Sequence, residues 1–296
     1  MAAAETVADL MRAALPDLTP AERHLATHIL RHYPVAALGS ITALARSAGV
    51  STPTVVRLVQ KLGFKGYPDC QASIRGEVEA MLVSPLAKHA RWAEGAPDTH
   101  ILNRFADAVV ANLQATLAQI DHAEFDAAAA LLADANRQIF ALGGRITHAV
   151  ADYFVTLMKV VRPDVTLMSD MSSSWPPMLL DMRPGDVVVV FDIRRYESSV
   201  LQIVEMMAEQ GVEVIVITDR WVSPAAALAR HTFCCQIEAP SAWDSTVVIL
   251  VLVETLLAAV QAQSWDRTEP RLKRLEGLYD RARLFRRGDK PPQPGR

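Results

Sequence analysis

Cysteine is scarce in this 296-residue chain: Cys70, Cys234 and Cys235 are the only three, and they form no metal-binding spacing. A metal site built on them is not expected, and adjacent cysteines within an apolar strand read as core, not as a redox centre. Long apolar runs are missing too. The longest, Val247 to Val260, is interrupted by Glu254 and too short to span a bilayer, so it reads as a buried or interface helix. A secretory signal is not expected at MAAAETVADLMRAAL, because Glu5 and Asp9 interrupt any apolar h-region. A cytoplasmic protein with no membrane partner and no cofactor is the expectation. Positive charge is not in excess: 30 Lys and Arg against 33 Asp and Glu give a net charge of -3. That is unusual for a nucleic-acid binder but does not exclude one, since affinity depends on where cations cluster. What is present is 51% hydrophobic residues and enough length for two domains.

The stretch SITALARSAGVSTPTVVRLVQKLGFKG, from Ser40 to Gly66, carries the clearest signal. Ser40 is a good N-cap, Ile41, Leu44, Ala45 and Ala48 fall at helical spacing, and Gly49 follows where a left-handed residue ends a helix. Ser51 can cap a second helix with Pro53 in its first turn, and Val55, Leu58, Val59 and Leu62 repeat the apolar spacing. Two such stripes pack at a steep angle. Left outside are Thr52, Thr54, Arg57, Gln60 and Lys61, hydroxyls first and longer side chains after, as a major-groove recognition helix needs. Candidate DNA-binding residues are therefore Ser51, Thr52, Thr54, Arg57, Gln60, Lys61 and Lys65, the two lysines on phosphates and Arg46 as a further local cation. A small helical bundle with a solvated outer face accounts for the same pattern. Upstream, Thr19, Pro20 and Glu22 form an N-cap, a first-turn proline and a capping-box acid ahead of a helix that ends before Pro34.

From Leu18 to Met81 the chain resembles the N-terminal domain of the RpiR family of bacterial transcriptional regulators, in LTPAER at 18 to 23, AGVSTPTVVR at 48 to 57 and KLGFKGYPD at 61 to 69. The resemblance implies a repressor or activator that binds symmetric double-stranded operators as a homodimer or higher oligomer.

A composition shift at Ser84, Pro85, Gly95 and Pro97 marks a domain boundary, and Ile101 to Ile120 has helical periodicity. Beyond Arg137 short β-branched runs alternate with helical stretches: QIFALGG at 138, VTLM at 165, DVVVVFDI at 186, VEVIVITD at 212 and TFCCQIEA at 232. Continuous apolarity is expected of parallel strands buried on both faces. Ile146 to Val160, Ser198 to Gln210, Pro224 to Arg230 and Ser245 to Gln263 read as helices. The fold class is an all-α N-terminal domain followed by a doubly wound α/β domain with a five-stranded parallel sheet. The expected division is 1–82 reading domain, 83–124 connector and helix, 125–265 ligand-binding and dimerisation domain, and 266–296 basic helical tail.

In such a sheet ligands bind beyond the carboxyl ends of the strands. The residues there are polar, and the candidate ligand set is Gly143, Gly144, Arg145, Asp192, Arg194, Arg195, Tyr196, Ser198, Asp219, Ser223, Ser241 and Ser245, with Glu197, Arg220, Trp221, Trp243 and Asp244 beside them. Glycines that admit a backbone, helix N-termini and guanidinium forks together suit a small anion. Capping alone explains Ser198, Ser223 and Ser245 equally well. Arg194 and Arg195 cannot both face one way on extended chain, so one of them is structural or at an interface.

This half resembles the sugar isomerase (SIS) domain over about Phe125 to Gln263, which implies dimerisation and binding of phosphorylated sugars. It departs from the family at Arg145, where a serine is usual, and at DIRRYESS from 192 to 199, where a serine- and glycine-rich loop is usual. The effector expected is a phosphosugar or another small anionic metabolite, and a domain that binds no ligand is a third reading of the same loops. A sugar-phosphate isomerase or sugar-phosphate-binding protein with a helical assembly domain is the alternative. Glu197 and His148 lie near the crevice in that reading, but nothing pairs them, and no catalytic residue is assigned. His24, His28 and His32 share one helix face without a completing ligand, so no metal is assigned. Pro270 to Arg287 is basic and helical in pattern, and DKPPQPGR reads as a disordered tail.

Overall fold

The computed structural model describes residues 6–31, 33–81, 88, 100–169 and 171–285. Helices α1 (Val7–Ala14), α2 (Pro20–Arg31), α3 (Ile41–Ser47), α4 (Thr52–Lys61) and α5 (Tyr67–Met81) form the N-terminal bundle. A two-way capping box starts α1: Thr6 Oγ1 accepts from the Asp9 amide and the Asp9 carboxylate accepts from the Thr6 amide. At α2 the Glu22 carboxylate likewise reaches back 3.0 Å to the Thr19 N–H. Met11, Leu25, Ile29, Leu44, Leu58 and Ile74 fill one core from all five helices. Burying side chains of this size is worth about 1.5–3 kcal/mol each.

Helices α6 (Ile101–Leu117) and α7 (His122–Ala133) lead into the α/β domain. There β1 (Ile139–Gly143), β2 (Val165–Leu167), β3 (Val187–Asp192), β4 (Glu213–Asp219) and β5 (His231–Cys235) form a sheet in the order β2-β1-β3-β4-β5, every pair parallel. Alternation along β3 sends Val187, Val189 and Phe191 to one face and Val188 and Val190 to the other. The first face is covered by α7, α8 (His148–Val161) and α11 (Val247–Gln263) through Leu132, Phe154, Met158, Leu252 and Leu256. The second is covered by α9 (Trp175–Leu179) and α10 (Ser198–Glu209) through Trp175, Leu179, Val200, Val204 and Met207. A last helix, α12 (Trp265–Ala282), turns by 104° from α11. No single helix among the described residues is long and apolar enough to cross a membrane.

The doubly wound sheet expected from the sequence is present, with local corrections. Pro224–Leu228 is one short 3-10 turn, because Ser223 caps it and the chain then extends at Ala229. α11 starts at Val247, so Ser245 lies before the helix. The edge strand β5 alternates, with Cys235 in the core and Cys234 half-buried against Arg12, so the two cysteines do not share one environment. The boundary stretch from 83 to 98 lies outside the described residues apart from Lys88, as do His32 and the segment from 286 to 296.

Candidate functional site

Two regions can carry function, the α3–α4 pair and a cleft at the carboxyl ends of the strands. In the first, Gly49 takes φ of +63° and the Val50 amide returns to the Ala45 carbonyl, turning the chain sharply between the helices. Leu44, Ala45 and Ala48 of the first helix and its end meet Val55, Leu58 and Val59 in the core. Ser51, Arg57, Gln60, Lys61 and Lys65 are exposed and Thr52 is half-buried.

Three of the expected base or phosphate contacts, Thr54, Ser51 and Lys61, have other partners. Thr54 is buried, its hydroxyl 2.9 Å from Ser51 Oγ and accepting from Arg57 Nη2 at 3.3 Å. It is therefore a strut at the helix start and not an outward-facing group. Ser51 sits at the N-cap position but bonds Thr54 in place of a helix amide. Lys61 donates to Glu22 Oε2 at 2.7 Å, and this bond is the main reason the Glu22 carboxyl is pulled down to about 2. Lys61 thus ties α4 to α2, while Arg57 and Gln60 remain on the outer face.

The second region is a cleft of about 410 Å³ lined from the first turn by Gly144, Arg145, Ile146 and Thr147, and from the loop after β3 by Asp192, Ile193, Arg194, Arg195 and Glu197. Ala242, Trp243, Asp244 and Thr246 close it from the segment before α11, and Lys88 enters from the connector. Gly143 stands behind the wall. A Cβ there would lie 2.5 Å from the His148 amide nitrogen and the Thr147 carbonyl, so the close approach of strand end to α8 requires glycine. Thr147 anchors the turn by donating to the Phe191 carbonyl at 2.6 Å.

Arg194 lines the cleft but its charge is spent. Its Nε donates to Asp244 Oδ2 at 2.9 Å, its Nη2 reaches Glu238 at 3.1 Å and Asp244 Oδ1 at 3.2 Å, and its Cζ lies 3.6 Å from the centre of the Trp221 ring. Lys88, buried, donates to the same Asp244 at 2.5 Å and to the Trp243 carbonyl at 3.1 Å. Burial lowers the Lys88 ammonium and Asp244 opposes that. The expected split between the two arginines is therefore present, although the chain is not extended there. Arg194 and Arg195 have φ of +44° and +27°, and this left-handed pair directs Arg194 into the structure and leaves Arg195 exposed.

Under this loop lies an acid network. Asp219, fully buried, accepts from the Arg194 amide at 2.6 Å, the Tyr196 hydroxyl at 2.6 Å and the Trp221 amide at 2.9 Å. Burial pushes its carboxyl up against those bonds and pushes the Tyr196 phenol up as well. Asp192 accepts from Ser223 Oγ, and burial, with Asp219 and Glu197 adding to it, raises its carboxyl to about 7.

Several expected ligand residues thus support the cleft without lining it. Tyr196 and Asp219 brace the loop, Ser223 buttresses Asp192, Ser241 accepts from the Trp243 amide, and Ser245 accepts from the Val247 amide. Ser198 is exposed at the first position of α10, outside the lining. Gly144, Arg145, Asp192, Arg194 and Arg195 do line it. Lys88, Ile146, Thr147, Ile193, Ala242 and Thr246 were not expected there, and for Lys88 no sequence pattern marks a return from the connector to the cleft.

Residues 6–80 match the model of the helix-turn-helix domain of the rpiR family, and residues 131–259 match the SIS domain. The HTH-type transcriptional regulator HexR of Pseudomonas aeruginosa is 28% identical over 280 residues, covering 88% of this chain and 91% of that protein. HexR of Escherichia coli is 23% identical over 281 residues, covering 91% and 93%. Among solved structures, the sugar isomerase domain of an RpiR transcription factor from Sphaerobacter thermophilus superposes with a TM-score of 0.55 at 24% identity, covering 60% of this chain and 98% of that one. The Vibrio vulnificus NanR protein complexed with ManNAc-6P superposes with a TM-score of 0.54 at 19% identity, covering 93% and 98%. At these identities the structures speak to the fold.

Proposed function

The chain belongs to the rpiR family of helix-turn-helix transcriptional regulators with a SIS domain, and from that premise we propose that α4 reads operator DNA while the cleft binds a small anionic metabolite that tunes that reading. The observation that carries the ligand half is the disposition of charge. Arg194 and Lys88 are neutralised by Asp244 and Glu238, which leaves the exposed Arg145 and Arg195 at the rim to receive an anion beside the start of α8. The sugar phosphate named in the NanR complex is of this chemical kind, and so is a carboxylate.

The DNA half rests on the outer face of α4, where Thr52, Arg57 and Gln60 stand clear of the bundle core and Lys65 follows. The division into 1–82 reader, 83–124 connector, 125–265 ligand and dimerisation unit and 266–296 tail belongs to the same reading. Paired α/β units hold two readers at a spacing that suits operator half-sites. A ligand shifts the equilibrium only by binding the two arrangements unequally.

The test is retention of fragments of the protein's own upstream region against unrelated competitor DNA at two salt concentrations. Specific retention that falls steeply with salt is expected. A folded, oligomeric protein that retains neither fragment sinks the reading. A sugar-phosphate isomerase is the second reading, favoured by Asp192 and Glu197 facing one cleft. Turnover of a sugar phosphate that disappears in Glu197→Gln would establish it.

A further inference from the structure

The mouth of the cleft already holds an anion, and it belongs to the chain. Glu197 Oε1 accepts from the Arg145 amide at 2.7 Å across 52 residues of sequence. The same oxygen lies 2.8 Å from where a Cβ on Gly144 would stand, so the carboxylate rests directly on the glycine turn. Glu197 occupies the N-cap position of α10, yet its side chain makes no capping bond there. It is exposed, and among the described residues no ion pair holds it, in contrast to the neighbouring Asp244. The group is thus committed to the backbone that an incoming anion would use.

We propose that Glu197 is a built-in competitor for the first-turn anion cradle, and that an effector enters by exchanging its own anionic group for this carboxylate. The inference rests on the reading of the cleft as an anion site. One backbone N–H is a modest hold on a carboxylate in a cleft open to water. A phosphate offers more acceptor oxygens and more charge to the same amide and to Arg145 and Arg195. The displaced side chain has a second seat, because an acid at the N-terminus of α10 is favoured by the helix dipole and Glu197 makes no capping bond in its present position. Exchange therefore switches Glu197 between two positions and carries the Arg145 and Arg195 loops with it. A neutral ligand lacks the charge to displace the carboxylate.

Inorganic phosphate is the probe, titrated calorimetrically into the full-length protein and into Glu197→Ala and Glu197→Gln in an anion-poor buffer. Phosphate affinity is expected to rise about tenfold or more in Glu197→Ala, and by less in Glu197→Gln, which keeps an acceptor oxygen without the charge. The Arg145 amide resonance provides an independent readout. It should shift in Glu197→Ala and return toward its original position as phosphate is added. Equal or weaker phosphate binding in both variants overturns the competitor while leaving the anion site standing. Phosphate binding by none of the three proteins overturns both.

Discussion

The Arg194 guanidinium sits 3.6 Å from the centre of the Trp221 ring, with Asp244 and Glu238 closing on its nitrogens. A side chain that sequence position alone assigns to an effector is spent instead on joining three loops of the sheet's carboxyl edge. Arg194→Ala should lower stability in urea by about 2–4 kcal/mol, because it removes the guanidinium that joins Asp244, Glu238 and the Trp221 ring. Arg195→Ala should stay within about 0.5 kcal/mol of the parent and lose anion response. The reverse ranking would reassign the two residues.

Gly143 and Gly144 differ in what a methyl group would meet. At Gly143 it meets backbone at 2.5 Å, and Gly143→Ala should cost about 3 kcal/mol or leave the protein unfolded. At Gly144 it meets the mobile end of Glu197, and Gly144→Ala should cost about 1 kcal/mol or less. Equal melting temperatures for the two variants would contradict the geometry of the turn.

Asp192 makes stability depend on pH. Its folded value is about 7 against an ordinary 3.8, so between those values the unfolded chain gives up a proton that the folded protein keeps. Stability should therefore fall as pH rises through this window and level off above it. Asp192→Asn, which keeps an acceptor for Ser223, should flatten that part of the profile in urea midpoints taken at half-unit steps. An unchanged slope would place the titration elsewhere.

If α4 reads DNA as proposed, Arg57→Ala and Gln60→Ala should each weaken specific DNA binding by about 1–3 kcal/mol with little change in melting temperature. Thr54→Val should do the opposite, since that hydroxyl bonds Ser51 and Arg57 inside the bundle. Gel-shift and thermal melts on the same preparations separate the two classes.

Lys61→Met should destabilise the bundle by about 1–3 kcal/mol at neutral pH by leaving the Glu22 carboxylate without its partner. The sign follows from Glu22 being pulled down from 4.5 to about 2: its contribution is complete above 4.5 and is lost as pH falls toward 2. The gap between Lys61→Met and the parent should close over that range. A gap of constant size would mean that Lys61 acts through packing.

The elements that repeat regularly were legible in the chain. The spacing of Leu44 to Leu62 and the β-branched runs ending at Asp192 and Asp219 report local periodicity, and periodicity is what burial on one or two faces writes into sequence. Serines beyond the strands were legible as caps or ligands but not as one or the other, since a hydroxyl serves both. Ser223 became a buttress only because Asp192 lies beside it in space. The neutralisation of Arg194 was hidden for the same reason, its partners Glu238 and Asp244 being more than forty residues away. The left-handed turn at Arg194 and Arg195 had no glycine to announce it.

Lys88 pins the connector to the rim of the cleft, and this sets the length of a leash. It lies seven positions on from Met81, the last of α5, and seven fully stretched steps of chain reach about 25 Å. While its ammonium stays on Asp244, the end of α5 stands no further than that from Lys88. Counted instead from Met81 to His100, where the described chain resumes, the upper bound set by length alone is about 65 Å. One ion pair, Lys88 on Asp244, thus more than halves the distance that chain length alone would allow between the end of α5 and the cleft rim.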